Sequence, residues 1–234
     1  MSAAREMLCD TARAVFAEAV TTGIAPVADA GFELLLVPEA EGGFGGDWGD
    51  VNAVLQIAGL LIPDLPVAAL LLHGRGEGLH AAATVSLMAG AMGQALALSI
   101  EHVNTRQQFG RPLGKFQAVQ QSLAVMACEV RAVEAAAAAL ATRLDAVSLD
   151  PATADFEIAA AKLRANRAVG VVTGIAHQVH GAIGFTRDYD LNRVTIPLMR
   201  WRSAYGNDAY WAARLGRQVT GFGGRGLWDA VTAR

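Results

Sequence analysis

Apolar residues in this chain recur every three or four positions over three long stretches, roughly 79–105, 115–146 and 153–180, and no run alternates with period two. A chain patterned this way has to bury helical stripes against one another. The fold class it dictates is all-α, with an up-and-down four-helix bundle in the second half. Asp150-Pro151 marks the turn between the second and third stretches, proline being tolerated just inside a helix start. Ala135 to Ala139 is a helix-favouring run. Shorter helices are expected at about 189–200 and 206–219, followed by a weak terminal one.

Upstream, Leu8, Ala12, Val15, Phe16 and Ala19 give Ala3 to Ala19 one apolar face, as in an amphipathic opening helix. A short apolar turn of helix at Gly31 to Val37 leads into the glycine loop Glu41 to Gly46. Asp50 is the expected cap of the next helix, which runs to about Leu61 and ends at Ile62-Pro63, with another short helix after Asp64. The sharpest change of composition is Gly74-Arg75-Gly76-Glu77-Gly78. It divides a helical N-terminal region, residues 1–76, from the bundle, residues 77–234.

The chain is 53% hydrophobic and only 18% charged, with a mean hydropathy of +0.32, so a membrane or a subunit interface should cover part of its surface. Ala81 to Ile100 carries no charge and is long enough to span a bilayer. Its Thr84, Ser86, Gln94 and Ser99, and its Ala, Gly and Met content, fit a buried helix with small residues at a helix–helix contact instead. No membrane span is expected. Met1 to Asp10 has acidic residues and no apolar run, which reads as no signal peptide and a cytoplasmic protein. A net charge of −3 and a pI near 5.9 give no electrostatic footprint for nucleic acid. Arg187, Arg193, Arg200 and Arg202 are interleaved with acids and apolar residues, as on a solvated or ligand-facing helix. Cys9 and Cys128 belong to no C-x-x-C pattern and read as two buried, reduced thiols.

Two segments carry chemistry-bearing side chains at breaks between long helices: Arg106-Gln107-Gln108-Phe109-Gly110 running into Phe116-Gln117-Ala118-Val119-Gln120, and Gln178-Val179-His180-Gly181-Ala182-Ile183-Gly184-Phe185-Thr186. The fork of Arg106 suits a pyrophosphate; a cation there also complements a helix C-terminus. Phe109 can pack on a flat ring or fill core, and Gly110 lets the backbone turn away. Gln117 and Gln120 can read the polar edges of a nucleotide or lie idle on the surface. Gly181 can simply end a helix. His177 and His180 are spaced i, i+3, yet a carboxylate-bridged di-metal bundle needs Glu-x-x-His on two helices and two further acids. The only such tetrad is Glu77-Gly78-Leu79-His80, at a glycine-rich boundary, so no metal is expected. Gly43 to Gly46 lacks the Gly-Lys-Ser/Thr ending and the preceding strand of a phosphate loop and reads as a turn.

In order and spacing these segments and the alanine-rich helices around them resemble the C-terminal four-helix domain of acyl-CoA dehydrogenases, over about residues 80–220. Gly31 to Gly46, with Leu36-Val37-Pro38-Glu39, resembles that family's N-terminal helical domain in shortened form. The resemblance implies FAD as cofactor. It also implies that Arg106, Phe109 and Gln178 reach across a dimer interface to a neighbour's FAD, that Gly181 and Ala182 give close backbone approach, and that Gln117 is a further contact. Ala182 stands where the family usually has a second glycine.

Two parts of the family's design are missing. Pro66 to Gly78 passes almost directly from one helical part to the other, without the β-barrel-like domain that covers the flavin ring and helps form the acyl-CoA site. At the family's usual Glu, Ala204-Tyr205-Gly206 places Tyr205, whose ordinary pKa of about 10 makes it a poor base at neutral pH. The alternative base position on the first long helix falls near His80-Ala81, again without a carboxylate, and a helix puts Asp208 on a different face from residue 205. Gly206-Asn207-Asp208-Ala209 resembles the Gly-Asp-Ala variant in subunits of heteromeric, steroid-type members.

The expectation is therefore a small subunit of a heteromeric acyl-CoA dehydrogenase that lends flavin contacts in trans. A full-length partner would supply the β-domain and the catalytic Glu, and an acyl-CoA thioester would be the substrate. Two alternatives stand beside it. One is a non-catalytic helical scaffold or binding protein. The other is a homo-oligomer with divergent chemistry on CoA-bound or carrier-bound acyl groups, with Tyr205 or His80 as acid or base.

Overall fold

A computed structural model describes residues 3–62, 64–186 and 189–232; Pro63 and Arg187, both singled out above, lie outside the described residues. The chain is helical almost throughout. Helices α1 (Ala3–Thr22), α2 (Ala25–Asp29), α3 (Trp48–Leu61) and α4 (Val67–Leu71) precede the long α5 (Glu77–Thr105). The only strands among the described residues, β1 (Gln107–Gln108) and β2 (Arg111–Pro112), form a minute antiparallel hairpin. Then come α6 (Gln117–Ala146), α7 (Asp155–His180), α8 (Asp190–Ser203) and α9 (Asp208–Thr232), the last broken at Gly223, where φ is 68°. The three long helices thus fall within two residues of the expected bounds. The apolar turn expected at Gly31 to Val37 is only a 3-10 turn, Phe32–Leu34, preceded by α2.

α5, α6, α7 and α8 form the up-and-down bundle, and α3 lies across α5 from outside it. What lets α3 so close is a pair of glycines. A Cβ on Gly59 of α3 would sit 2.1 Å from the carbonyl oxygen of Leu87, and one on Gly90 of α5 would sit 1.9 Å from that of Gln56. The two backbones are in direct contact at the crossing. Around it, every residue of α5 from Ala81 to Met92 is buried, and Ser86 is satisfied by Asn52 of α3 at 2.7 Å. The apolar stretch considered as a membrane span is therefore the central pillar of a protein core. The stretch Asp155–Phe185, α7 with the turn after it, is also long and apolar enough to cross a membrane, and it is less buried than α5.

A second joint fixes the N-terminal helices to the bundle. Asp47, not Asp50, is the N-cap of α3: its carboxylate accepts from Asp50 N–H at 2.8 Å, and Asp50 returns the bond to Asp47 N–H in a capping box. The next orphan donors, the N–H groups of Trp48 and Gly49, reach Asp145 near the end of α6 at 2.5 and 3.2 Å. Burial pushes the Asp145 carboxyl up, and these two N–H bonds pull against it. Arg5 of α1 closes the group on both Asp47 and Asp50, each at 2.6 Å. One contiguous apolar cluster runs from Phe16 and Trp48 through Met88 to Leu144 and Leu198, so the core spans both sides of the Gly74–Gly78 segment. Of the two thiols expected to be buried, Cys9 is buried and Cys128 is exposed on α6.

The crossing has a direct consequence for stability. Gly90→Ala should lower the free energy of unfolding by about 1–3 kcal/mol, because a methyl group there has to push two backbones apart. Gly170→Ala, on the open side of α7 where a Cβ meets nothing within 4 Å, should raise it by about 0.4–1 kcal/mol. Urea denaturation of both variants checks this, and equal effects would show that α3 and α5 are not in backbone contact.

Candidate cofactor groove and the opposite end of the bundle

The break after α5 is built on turn chemistry. Arg106 is its C-cap, with extended backbone angles and its N–H still bonded to His102 O. Gln107 then pairs with Pro112 and Gln108 with Arg111 across a two-residue loop, and the loop residues Phe109 and Gly110 both have positive φ, 52° and 80°. That is the type I′ geometry that matches strand twist. Glycine adopts it freely, whereas an aromatic residue there is strained by roughly 1–3 kcal/mol. The strained ring is 88% exposed and makes a T-shaped contact with Phe116, over whose face Arg111 is held at 4.1 Å. The hairpin thus projects Phe109 into solvent rather than into the core.

Facing the hairpin, α7 ends at Gly181, whose φ of 63° and ψ of −143° suit glycine and whose missing Cβ leaves open space. Gly184 is needed for closeness: a Cβ there would lie 2.9 Å from His180 Cβ and 3.2 Å from Leu191. Ala182 is not among the residues with positive φ, so an alanine is accepted where the family has glycine.

Between these two walls lies a groove of about 680 Å³. It brings together four of the expected residues, Arg106, Gln178, Gly181 and Ala182. Arg106 and Gln178 are exposed in it, and Arg106 takes part in none of the ion pairs among the described residues. Phe109 and Gln117 stand outside the lining, Phe109 at the hairpin tip and Gln117 exposed at the start of α6. Gln120 is engaged structurally, donating its amide to Gly114 O at 2.9 Å and so fastening the turn.

Two histidines also line the groove: His180, marked in the sequence by its place before Gly181 and its spacing from His177, and His102, which carries no sequence signal. Their rings stack at 4.4 Å, and Tyr189 meets both edge-on. His180 Nδ1 donates to Ala176 O at 2.7 Å, and its Nε2 is buried, with the Leu98 carbonyl of α5 the other backbone group acting on the ring. Burial pushes His180 below its ordinary pKa. His177 turns the other way, toward Thr195 of α8 at 3.2 Å, and stacks on Phe185. The i, i+3 pair therefore does not converge, and the described residues hold no group of three or more His, Cys, Asp or Glu suited to a metal. An unpaired guanidinium and a glycine without Cβ together fit the pyrophosphate-bearing part of a dinucleotide.

Tyr205 lies elsewhere. It follows α8 with a φ of 55° and is stacked on His80 at 5.6 Å. Gly206 next to it could carry no side chain, since a Cβ would come within 2.5 Å of Tyr210 and 2.7 Å of Trp211. A buried polar network holds this turn. Lys162, fully buried on α7, donates to Asn166 Oδ1 at 2.7 Å and to Trp201 O at 2.9 Å. Asn166 and Trp211 both donate to Gly206 O. Asp208 pairs with Arg202 at 2.8 Å, and Asn207 caps α9 through Tyr210 N–H. A cavity of about 310 Å³ beside Tyr205 is lined by two carboxylates, Glu77 at the start of α5 and Asp155, the latter already bound by Arg214 and Gln218. His80 and Arg106 stand at opposite ends of α5, a helix of 29 residues, and are thus about 40 Å apart at a rise of about 1.5 Å per residue.

The acyl-CoA dehydrogenase C-terminal domain matches residues 78–220 of this chain. Acryloyl-CoA reductase (NADH) of Anaerotignum propionicum is 34% identical over 181 residues, covering 70% of this chain and 44% of the relative. The chain thus spans less than half of that protein's length. Among solved structures, a chain of the ChsE4-ChsE5 complex from Mycobacterium tuberculosis superposes with a TM-score of 0.83 at 17% identity, covering 94% of this chain and 98% of that one. A chain of the Tcur3481-Tcur3483 steroid ACAD, G363A variant, gives 0.80 at 16% identity, covering 93% and 98%. At such identities the likeness is one of fold.

Burial pushes the Lys162 amine from 10.5 down to about 8, with Asp208 pulling the other way. A neutral amine keeps two N–H donors, enough for Asn166 and Trp201, so the turn survives deprotonation. Between pH 8 and 10.5 the unfolded chain holds the proton that the folded chain has released, so stability should rise with pH there. The unfolding free energy of the wild type relative to Lys162→Met should increase across that window, and a flat difference would mean that Lys162 titrates like an exposed amine.

Proposed function

The chain belongs to the acyl-CoA dehydrogenase family, and we propose that within it the chain is a subunit of an FAD-dependent enzyme acting on an acyl-CoA thioester, contributing flavin contacts in trans. When bound, the flavin supplies the redox chemistry, taking a hydride from the β-carbon while a base removes the α-proton. This chain's part is to bind and orient. Arg106 holds the pyrophosphate in a bidentate, charge-assisted contact. Phe109 offers a ring to a flat surface beyond the hairpin, Gln178 hydrogen-bonds a polar edge, and Gly181 lets the backbone come close.

The observation that carries the reading is the separation of the two ends. The groove with Arg106 and Gln178 is at one end of α5. Tyr205, at the family's base position and with no carboxylate in its place, is about 40 Å away at the other, by helix rise alone. One dinucleotide does not span that distance. A flavin in the groove is therefore served by a base from another subunit; the carboxylates near Tyr205, Asp155 and Glu77 at the start of α5, belong to the far end. The end-to-end superposition on chains of heteromeric complexes supports an oligomer with a partner of the same family; the β-domain would be that partner's contribution.

A visible absorption spectrum tests this. The chain purified alone should be colourless and inert toward acyl-CoA. Co-expressed with a full-length partner of the family, it should give a yellow complex bleached by the thioester. A chain that carries flavin and oxidises acyl-CoA by itself would overturn the proposal.

A further inference from the structure

His102 stands one helical turn before Arg106 on α5, and both line the groove. Its ring makes no hydrogen bond among the described residues, and stacking alone sets its orientation: His180 of α7 covers one face at 4.4 Å and Tyr189, just before α8, meets its edge. These neighbours are also the titratable and charged groups that face it, together with Arg106 on its own helix. Resting on the reading of the groove as a dinucleotide site, we propose that His102 is a further binding residue there, taking up a proton and donating a charge-assisted hydrogen bond to the pyrophosphate that Arg106 holds.

The physical basis is the balance of charge around the ring. Without a ligand, burial holds the His102 imidazole below its ordinary pKa, and His180 and Arg106 push it further the same way. A pyrophosphate on Arg106 would cancel that repulsion and supply an anionic acceptor, so the protonated ring becomes the favoured form. His180 is 5% exposed and its Nδ1 is committed to Ala176 O; burial pushes its pKa down while the Ala176 and Leu98 carbonyls pull against that, and any charge it takes opposes one on His102. A positive charge on one of two imidazoles stacked this closely disfavours a charge on the other. Tyr189 remains a neutral phenol, its pKa pushed up by burial, Glu101 and Asp190.

Proton uptake on binding has a measurable signature. Lowering the pH through the interval between the free and bound pKa values should tighten binding by up to about tenfold per pH unit. His102→Gln, which keeps a donor but cannot charge, should lose that gain while retaining binding at high pH.

The test is a histidine NMR titration of the full chain with FAD and with ADP-ribose, whose pyrophosphate diesters keep constant charge across the neutral range, and with riboflavin, which has no phosphate. The His102 signal is assigned from its absence in His102→Gln. The expected result is that FAD and ADP-ribose move the backbone signals of Arg106 and Gln178 and raise the pKa of His102, while riboflavin leaves that pKa unchanged. If the groove signals move and the pKa of His102 does not, this inference fails while the groove reading stands. An equal rise with riboflavin would overturn the phosphate contact. If neither pyrophosphate ligand moves any groove signal, the groove reading and the inference fail together.

Discussion

The rest of the structure depends on the contact between α3 and α5 at Gly59 and Gly90. Two helices separated by side chains usually lie 8–10 Å apart. Here each missing Cβ would fall on the partner's backbone, so the helices close onto each other and the small residues of α5 find a matching surface. With α3 on one side and α6 and α7 on others, α5 becomes a rigid rod with two addresses. Its C-terminal end delivers Arg106 and His102 to one site, and its N-terminal end delivers His80 to Tyr205.

The two ends are electrostatically unlike. At the groove, Arg106 has no acidic partner among the described residues and the histidines beside it are held neutral by burial, which makes the groove a place for an anion. At the far end Asp208 is spent on Arg202, Asp155 on Arg214, and Lys162 on Asn166 and a carbonyl. The strain follows the same division. Phe109 is strained with its ring in solvent, which makes sense for an aromatic offered to a neighbour. Tyr205 is strained with its ring on His80 and its turn tied down by a network, which makes sense for a turn that closes a core.

How much of this is legible in the sequence depends on the range of the interaction. Helix bounds rest on periodicity and turn residues a few positions apart, so α5, α6 and α7 are readable to within two residues. The groove is partly readable, since Arg106, Gln178, Gly181 and Ala182 sit at helix ends that the family resemblance marks. What escapes depends on partners far along the chain. Asp47 rather than Asp50 caps α3 because Arg5 and Asp145 arrange the helix start from a distance. Cys128 is exposed because α6 turns that face outward. His102 becomes a groove residue only because α7 ends beside α5 and stacks His180 on it. Lys162 looks like a surface lysine in an alanine-rich helix until the C-terminal end of α8 closes over it. Gln117 and Gln120 look equivalent in sequence, and only the turn at Gly114 separates them.

The central claim is that this chain's groove holds a cofactor that another subunit carries. Flavin content per complex, measured after Arg106→Glu in this chain alone and with the partner unaltered, tests it most directly. The account predicts that the complex still assembles, as judged by its size in solution, but loses most of its bound FAD. Full retention of FAD in an assembled Arg106→Glu complex would contradict it.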